Sequence, residues 1–375
     1  MARFDVAVIG LGGMGSAVAA TLARRGLRVV GFDRFQPPHD RGSTHGRTRI
    51  IREAYWEDPA YVPLARRAFD LWGDLEQESS TPLLTKTGGL FMSVAGGDVA
   101  SGAARAAALH GLPCQRPSPE EVRERFPQFR PAAGMETVFE ERAGLLDPET
   151  AIRVQLGLAK RAGATLHALT RVDRWSADSE GAVTIASGAG RFVADQLVLA
   201  AGAWTPSLGA FRLPKLEVER VVVHWFRPPP GDDSFSARTC PVFGFEVEPG
   251  KLLYGTPDQG DGVKVGLHHH GTITDPDHVD REISQQERTE IQGLVTQFLP
   301  GLAAGYDRAQ TCLYTNTPDR HFLVDRHPDH PSVHVVSACS GHGFKFASAI
   351  GEAAAQWTLD GAPHLDLSLF SLERF

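Results

Sequence analysis

Cysteine is scarce in this sequence, and its spacing is as informative as its number. The chain of 375 residues contains four cysteines, Cys114, Cys240, Cys312 and Cys339, and no two of them form a C-x-x-C pair. Four thiols cannot staple a chain of this length, and cysteine zinc sites draw on closely spaced pairs. We therefore exclude a disulfide framework and a cysteine zinc site, and we expect the protein to work in the reducing cytoplasm.

Long apolar runs and a dominant charge are also missing. No apolar stretch approaches the roughly 18 residues that a membrane-spanning helix needs. The 38 basic and 45 acidic residues give a net charge of −7, so we expect binding neither to nucleic acid nor to an anionic membrane. The hydrophobic content of 42% is typical of a globular protein, and the length allows two domains or one large domain with an insertion.

Glycine is abundant, with 39 residues, and three of them form a motif near the amino terminus. The β-rich run 5–9 is followed by Gly10, Gly12 and Gly15 in G-x-G-x-x-G spacing, then by an alanine-rich helical segment and a strand that ends at Asp33. In this context the glycines allow a tight turn, close approach of the backbone to a pyrophosphate, and close packing of helix on strand. The aspartate can accept hydrogen bonds from a ribose. The motif predicts a dinucleotide site without deciding between NAD and FAD.

Downstream, the sequence predicts a mixture of helices and strands, and Ser118 and Ser284 each open a capping box. A nucleotide-binding unit at the start and a strand–glycine–helix unit at the end favour a cofactor domain built from separated segments, with a substrate domain inserted between them. The longer predicted elements are helices at 61–78, 148–163, 285–300 and 344–359, and strands at 164–169, 172–175, 183–186, 191–193, 196–201, 216–225, 251–255, 263–268 and 333–338.

Four local motifs are far more specific than the glycine motif. They are GSTHGRTRIIR at 42–52, KVGLH at 264–268, TCLYTNTPDRHF at 311–322 and CSGHGFKF at 339–346. At these residues the sequence closely resembles the sarcosine oxidase and N-methyltryptophan oxidase family, flavin amine oxidases of the glutathione-reductase-like FAD superfamily. The resemblance extends over nearly the whole chain.

This resemblance implies an α/β (α+β) fold with two domains. A Rossmann-like FAD-binding domain would comprise 1–84, 145–215 and 312–375, and a substrate domain with a large, mainly antiparallel sheet would comprise 85–144 and 216–311. Because the sequence shows no evident association motif, we expect a monomer.

The resemblance also implies an FAD that is covalently attached, through a thioether between the Cys312 sulfur and the flavin 8α-methyl group. Nearby cations favour the thiolate that such a reaction needs, whereas we expect the other three cysteines to be small, inert residues. The residues that match FAD-binding positions are Gly10, Gly12, Gly15, Asp33, Ser43, Thr48, Arg49, Gly202, Trp204, Cys312, Gly341, Gly343 and Lys345.

Further matches surround the substrate. Arg52 and Lys345 match the two basic residues that hold the substrate carboxylate in this family, and Gly341 and Tyr254 match other substrate contacts. Lys264 matches a lysine that promotes electron transfer to oxygen by electrostatic stabilisation. The residues expected to take part in catalysis are Lys264, His268, Tyr254, Arg49 and His45.

The implied reaction is the oxidation of a small secondary amino acid with an N-methyl or cyclic amine. The product imine hydrolyses to an aldehyde and an amine, and molecular oxygen is reduced to hydrogen peroxide. Two alternatives stay open: a flavin amine dehydrogenase that passes electrons to a carrier, and a non-catalytic FAD-binding protein.

Two places depart from the family pattern near the substrate. The segment 244–250 lacks the methionine expected just upstream of Tyr254, and Trp56 is bulkier than the small residue expected there. Sarcosine itself is therefore a doubtful substrate, and other N-methyl, cyclic or larger secondary amino acids stay open.

The run of three histidines at 268–270 raises the question of a metal. Adjacent strand residues point to opposite faces of a sheet, so three consecutive histidines should not converge on one ion. We expect no metal site.

Overall fold

The structure is a computed structural model that describes residues 3–208 and 214–375. None of the helices in these two ranges is long and apolar enough to cross a membrane. The α-helices are α1 (Gly13–Arg24), α2 (Tyr61–Ser79), α3 (Val99–His110), α4 (Pro119–Arg125), α5 (Pro148–Arg161), α6 (Thr205–Leu208), α7 (Gln285–Phe298) and α8 (Ala347–Asp360). The strands are β1 (Arg3–Ile9), β2 (Val29–Phe32), β3 (Arg49–Ile51), β4 (Leu84–Lys86), β5 (Gly89–Ser93), β6 (Cys114–Gln115), β7 (Glu136–Glu140), β8 (Gly144–Leu146), β9 (Thr165–His167), β10 (Val172–Ala177), β11 (Val183–Ser187), β12 (Gly190–Leu199), β13 (Glu217–Phe226), β14 (Val242–Glu248), β15 (Lys251–Thr256), β16 (Val263–His268), β17 (Thr272–Ile273), β18 (Tyr306–Asn316), β19 (Leu323–His327) and β20 (His330–Ser337).

The first sheet carries the glycine motif at its centre. Its strands are ordered β10–β11–β12–β1–β2–β9, with β20 beside β12 and β19 beside β20. β1 is parallel to both β2 and β12, and β20 is parallel to β12. Val6, Ala7 and Val8 are fully buried, because helices or further strands cover both faces of this central strand, and its sequence is therefore continuously apolar.

Helices α1, α2, α5 and α8 share one core with one face of the first sheet. Small residues let α1 and α8 approach closely, since a Cβ added to Gly351 would lie 2.9 Å from the Cβ of Ala17. The alanine-rich sequence of both helices is thus explained by packing distance. This packing fixes the amino-terminal end of α1 relative to the segment that leads into α8.

The second sheet has the order β17–β13–β16–β15–β14–β5–β7–β6, with β18 also paired to β13. Its pairs are antiparallel apart from β14 with β5. One face packs on α4 and α7 around a cluster of phenylalanines, in which the Phe129 ring stands edge-on to Phe243 and Phe245. A small third sheet, β3–β8–β4, contains Arg49–Ile51.

Many of the predicted elements form where the sequence predicts them. α2 begins at Tyr61, β16 spans Val263–His268, and the capping boxes at Ser118 and Ser284 are both present. These are segments whose signal is local: a 3.6-residue apolar period, a β-rich run, or a serine that accepts a backbone hydrogen bond three residues on.

Other elements differ from the prediction. β12 is one continuous strand where the sequence predicts two, and α8 begins only at Ala347, after a 3₁₀ turn over Phe344–Phe346. No sequence pattern predicts α3 or β18. β18 pairs along its length with β13, nearly a hundred residues earlier, so long-range pairing decides its conformation more than local propensity does.

The predicted division into two domains stays a prediction. The strands of the first sheet fall within 1–84, 145–215 and 312–375, but β18 crosses the predicted boundary between residues 311 and 312. Residues 209–213 of the predicted segment 145–215 lie outside the described part of the chain.

The capping box of α4 yields a stability prediction. The Ser118 hydroxyl accepts a hydrogen bond from the Glu121 N–H at 3.2 Å, so Ser118→Ala should lower the free energy of unfolding by about 1 kcal/mol, while Ser118→Asp should retain it. Urea unfolding measures both. Ser101→Ala is the matched control, because the Ser101 hydroxyl caps no backbone N–H: it donates to the Gly97 and Asp98 carbonyls at 3.4 and 3.3 Å and accepts from Arg105 at 3.5 Å. An equal loss in the control would contradict the prediction.

Candidate active site

One cavity of about 330 Å³ joins the carboxyl end of β1 to strands β15, β16 and β18 of the second sheet. Gly15 is the predicted site residue that does not line it. The predicted residues that line it are Gly10, Gly12, Asp33, Ser43, His45, Thr48, Arg49, Arg52, Gly202, Trp204, Tyr254, Lys264, His268, Cys312, Gly341, Gly343 and Lys345.

The glycine motif forms one end of the cavity. Gly10 has a left-handed φ of +92°, and a Cβ there would lie 2.3 Å from the Ala200 carbonyl oxygen. A Cβ on Gly15 would lie 1.7 Å from the Gly10 oxygen, whereas one on Gly12 would meet nothing within 4 Å. Gly10 and Gly15 therefore serve the packing of strand and helix, and Gly12 leaves open space at the amino terminus of α1, where no side chain caps the helix.

Asp33 holds the shape of this turn. One carboxylate oxygen accepts a hydrogen bond from the Leu11 N–H at 2.9 Å, and the other accepts from the Phe35 N–H at 2.8 Å. The carboxylate is buried yet faces the cavity. It can therefore order the turn and still offer lone pairs to a ribose.

Cys312 lies on β18 with its side chain directed at the cavity and only 5% of the residue exposed. The Arg49 guanidinium donates towards its sulfur over 3.9 Å and also donates to the Ser43 and Thr48 carbonyls. The Cys312 sulfur therefore faces the cavity beside a guanidinium. Cys339 also lines the cavity, where its sulfur is 3.8 Å from the Ser43 hydroxyl.

Lys264 is a buried lysine whose hydrogen-bond partners in the described part of the chain are carbonyl oxygens. Its ammonium donates to the Thr48 carbonyl at 2.5 Å and to the Gly46 carbonyl at 3.1 Å, and burial lowers its pKa well below the ordinary value. His45 lies nearby with neither ring nitrogen bonded within the described chain. Burial lowers the pKa of His45 to about 4, so its ring is neutral at physiological pH.

Two more basic residues, Arg52 and Lys345, line the cavity, and we call the part around them its far end. Arg52 donates to the Glu57 carboxylate at 2.6 Å and to the Ala54 carbonyl at 2.9 Å. Lys345 donates to the carbonyl of His342 at 2.6 Å, and burial lowers its pKa to about 7. Burial alone would raise the pKa of Glu57, but Arg52, His342 and Lys345 together outweigh it, and the pKa lies below the usual value.

Neutral polar groups face these cations. The Nδ1 atom of His268 lies 3.3 Å from the Tyr314 hydroxyl, and Tyr314 is also hydrogen-bonded to Tyr254. Burial lowers the pKa of His268 well below its ordinary value. Gly341 makes this packing possible, because a Cβ there would lie 2.6 Å from the Tyr314 ring and 2.7 Å from His268.

The side chains of His268 and His269 do not point to opposite faces of the sheet, as strand geometry predicts that they should. The rings of His268 and His269 pack together with centroids 4.2 Å apart, because His269 lies just past the end of β16 with a left-handed φ of 51° that breaks the alternation of faces. His269 contacts the Glu219 carboxylate at 3.3 Å, and His270 contacts that of Glu290 at 3.0 Å. Within residues 3–208 and 214–375, no group of histidine, cysteine or acidic side chains is arranged to hold a metal ion.

Sequence reasoning missed several residues of this site. Glu57, Leu252 and Tyr314 line the cavity without having been assigned roles, and Tyr55 lies just behind its wall. Glu57 is five residues after Arg52, a spacing that carries no periodic signal. Phe245 of the methionine-free segment is fully buried in the phenylalanine core and does not reach the cavity.

The βαβ unit, the open helix terminus and the cluster of buried cations define an oxidoreductase that binds a dinucleotide cofactor. The chain belongs to the FAD dependent oxidoreductase family, DAO, whose family model matches residues 5–357. The family resemblance seen in the motifs is thereby confirmed.

Named relatives agree with this placement. The chain is 38% identical over 375 residues to a monomeric sarcosine oxidase of Streptomyces avermitilis, with 99% of this chain and 97% of the relative covered. It is 34% identical over 378 residues to an N-methyl-L-tryptophan oxidase of Salmonella arizonae, with 100% and 99% covered. The crystal structure of L-proline dehydrogenase from P. horikoshii superposes with a TM-score of 0.87 at 22% identity, over 100% of this chain and 98% of that one. The predicted α/β fold is confirmed.

The cavity suits FAD in shape and in chemistry. The uncapped amino terminus of α1 and the open space beside Gly12 suit a pyrophosphate, and Asp33 suits a ribose. Arg49 and Cys312 line the same cavity as the two cationic residues Arg52 and Lys345. When bound, FAD would supply a two-electron acceptor that the amino acid side chains lack.

Two glycine variants test packing and cofactor binding separately. Gly15→Ala should cost at least about 1–3 kcal/mol of folding free energy, because its Cβ would collide with the Gly10 backbone. Gly12→Ala should fold normally yet bind less FAD, because its methyl group enters the open space. The yield of folded protein and the flavin absorbance per chain measure the two effects. Normal flavin content in Gly12→Ala would contradict the assignment.

Proposed function

We propose that the protein is an FAD-dependent oxidase of a secondary amino acid with an N-methyl or cyclic amine. It converts the substrate to an imine, which hydrolyses to an aldehyde and an amine, and it reduces oxygen to hydrogen peroxide. The observation that carries this proposal is the pair of buried cations, Arg52 and Lys345, at one end of a cavity whose other residues suit FAD. The names of the two oxidases above point to the same substrate class.

Arg52 and Lys345 would hold the substrate carboxylate. A guanidinium gives a planar fork of donors and an ammonium gives a compact charge, so together they suit a carboxylate better than any neutral ligand. Both are buried, where charge-assisted hydrogen bonds are stronger than in water.

The surroundings favour an unprotonated amine. The Glu57 carboxylate is already bound to Arg52 at 2.6 Å, and the neutral groups His268 and Tyr254 line the same cavity. An ammonium would lie near cations without a free carboxylate, so the site lowers the pKa of a bound amine. Loss of that proton frees the nitrogen lone pair that assists oxidation of the neighbouring carbon.

Lys264 would act on oxygen. Its ammonium is held by two carbonyl oxygens, which supply hydrogen-bond acceptors without cancelling the charge. A protonated Lys264 in this position would stabilise negative charge that develops on oxygen as it is reduced. The neighbouring His45 is neutral and adds no competing charge.

The substrate is tested by anaerobic bleaching of the flavin. N-methyl and cyclic amino acids should bleach it, and glycine should not; air should then restore the colour with release of hydrogen peroxide. Arg52→Met should raise KM roughly a hundredfold, because it removes charge-assisted hydrogen bonds worth about 1.5–3 kcal/mol. Arg41→Met, at an exposed arginine, is the matched control and should leave KM unchanged.

Two other results would overturn the proposal. Bleaching that air cannot reverse but an artificial electron carrier can would indicate a dehydrogenase. Absence of bleaching with every secondary amine would indicate an FAD-binding protein without this activity.

We further propose that Cys312 carries the FAD covalently. All four cysteines are unpaired, and burial raises the pKa of Cys114 and of Cys240 to about 12, which makes those thiols inert. Cys312 differs from them because a guanidinium contacts its sulfur. The four free thiols also support the proposal that the protein is a cytoplasmic enzyme, and we propose that it acts as a monomer.

Acid denaturation tests the covalent bond. Flavin fluorescence should remain with the denatured wild-type chain and be lost from Cys312→Ala. Cys339→Ala is the matched control, since this cysteine lines the same cavity, and it should retain the flavin. Free flavin from the wild-type chain would disprove the covalent attachment without affecting the proposed reaction.

A further inference from the structure

Tyr55 is the residue that contacts both cations at the far end of the cavity. Its ring lies 3.9 Å from the guanidinium carbon of Arg52, and its hydroxyl accepts a hydrogen bond from the Lys345 ammonium at 3.1 Å. Tyr55 is fully buried and does not line the cavity. Any effect it has on a ligand must therefore pass through Arg52 or Lys345.

The Arg52 guanidinium is held between two aromatic rings. Trp56 lies on it at 3.2 Å and Tyr55 at 3.9 Å, and the planes of these rings are within 10° of parallel with centroids 6.4 Å apart. Such stacking restrains a guanidinium and adds cation–π attraction. Together with the bonds to Glu57 and Ala54, it fixes the plane in which Arg52 presents its remaining donors.

The hydroxyl of Tyr55 belongs to a hydrogen-bond chain with a defined direction. The Nε2 atom of His342 lies 3.1 Å from the Arg320 carbonyl oxygen, which can only accept, so Nε2 carries the proton in the neutral ring and Nδ1 is an acceptor. Nδ1 lies 2.7 Å from the Tyr55 hydroxyl, which must donate to it. The hydroxyl oxygen is then an acceptor for Lys345.

We propose that Tyr55 is a positioning residue that holds Arg52 and Lys345 as a single carboxylate-binding pair. Its ring restrains the guanidinium, and its hydroxyl, oriented by His342, accepts from the ammonium and favours the protonated form of Lys345. This inference rests on the proposed function, because it assumes that the pair binds a substrate carboxylate.

Lys345 is the group at this end whose charge should change near neutral pH. Burial lowers its pKa to about 7. Burial also lowers the pKa of His342 to about 3 and that of His268 well below the ordinary value. The other charged or titratable groups that act on Lys345 are Arg52, Glu57, Arg49 and Tyr55. The pKa of Glu57 is lowered, and burial raises the pKa of Tyr55.

The sign of the effect follows from the direction of the hydrogen bond. An acceptor next to an ammonium stabilises the charged form and raises its pKa. Tyr55→Phe keeps the ring but removes this acceptor, so the pKa of Lys345 should fall. Carboxylate affinity that depends on protonated Lys345 should then be lost at a lower pH than in the wild type.

The test measures binding of methoxyacetate to the FAD-loaded protein, from the change in flavin absorbance, across the neutral pH range. In methoxyacetate an ether oxygen replaces the amine of N-methylglycine, so it cannot be oxidised as an amine. In Tyr55→Phe the pH at which affinity falls should move down, and Kd at neutral pH should rise roughly tenfold, as expected for loss of one hydrogen bond to a charged group. A uniform rise in Kd with an unmoved pH dependence would show a merely structural role and overturn the proposal.

Tyr61→Phe is the matched control. Tyr61 is equally buried and its ring stacks on that of Tyr55 at 4.7 Å, but its hydroxyl contacts His321 at 3.1 Å and neither cation. This variant should leave both Kd and its pH dependence unchanged. If Tyr61→Phe shifts the pH dependence of Kd as much as Tyr55→Phe does, the cause is general loosening of the aromatic cluster. That result would contradict the role proposed for Tyr55.

A double-mutant cycle with Lys345→Met distinguishes the remaining outcomes. If Tyr55 acts through Lys345, Tyr55→Phe should change Kd in the Lys345→Met background by much less than in the wild type. An undiminished effect there would overturn the proposal while leaving the proposed function intact. If wild-type protein does not bind methoxyacetate at any pH, the proposed function itself fails, and the inference fails with it.

Discussion

The site depends on basic side chains whose hydrogen-bond acceptors are carbonyl oxygens rather than carboxylates. Lys264, Lys345 and Arg49 each donate to main-chain carbonyl oxygens, and none of the three has an acidic partner within hydrogen-bond distance in the described chain. A carbonyl stabilises a buried cation through its dipole while leaving its net charge in place. The cavity therefore keeps a positive potential, which suits a carboxylate. Carbonyls outside helices and strands are free to accept such bonds, and the acceptors Ser43, Gly46, Thr48 and His342 all lie in such segments.

This requirement explains why the loops around the cavity contain unusual backbone conformations. Gly46 and Arg47 both have positive φ, and so do Ser340 and Gly341. They lie directly beside the carbonyls that accept from the two lysines, which belong to Gly46 and Thr48 in one loop and to His342 in the other. The sheets on either side hold the loops in place: β16 brings Lys264 against the first loop, and β18 brings Cys312 to the same cavity.

How much of this could be read from the sequence depends on the range of the interaction that decides each feature. The glycine turn, α2, β16 and the two capping boxes are local, and the sequence predicts them. Cys312, Arg52 and Lys345 were assigned by resemblance, and the cavity brings them together. The sequence does not indicate Tyr55, because its contacts are with Lys345 and His342, nearly three hundred residues away. It does not indicate Glu57, because the contact with Arg52 depends on the direction of the two side chains. Strand geometry predicts that His268 and His269 point to opposite faces. This prediction is wrong because the chain turns after β16, where His269 has a left-handed backbone.

The charges at the far end of the cavity favour one protonation state of a bound amino acid. Arg52 and a protonated Lys345 carry two positive charges, and Glu57 carries one negative charge. These three side chains together therefore carry one excess positive charge. An amino acid whose amine is neutral brings one negative charge and cancels that excess, whereas its zwitterion would leave it uncompensated in a buried volume. Since uncompensated buried charge is costly, the arrangement that we propose to recognise the carboxylate would also drive the amine to lose its proton. In the proposed function, recognition and activation of the substrate would therefore follow from a single electrostatic imbalance.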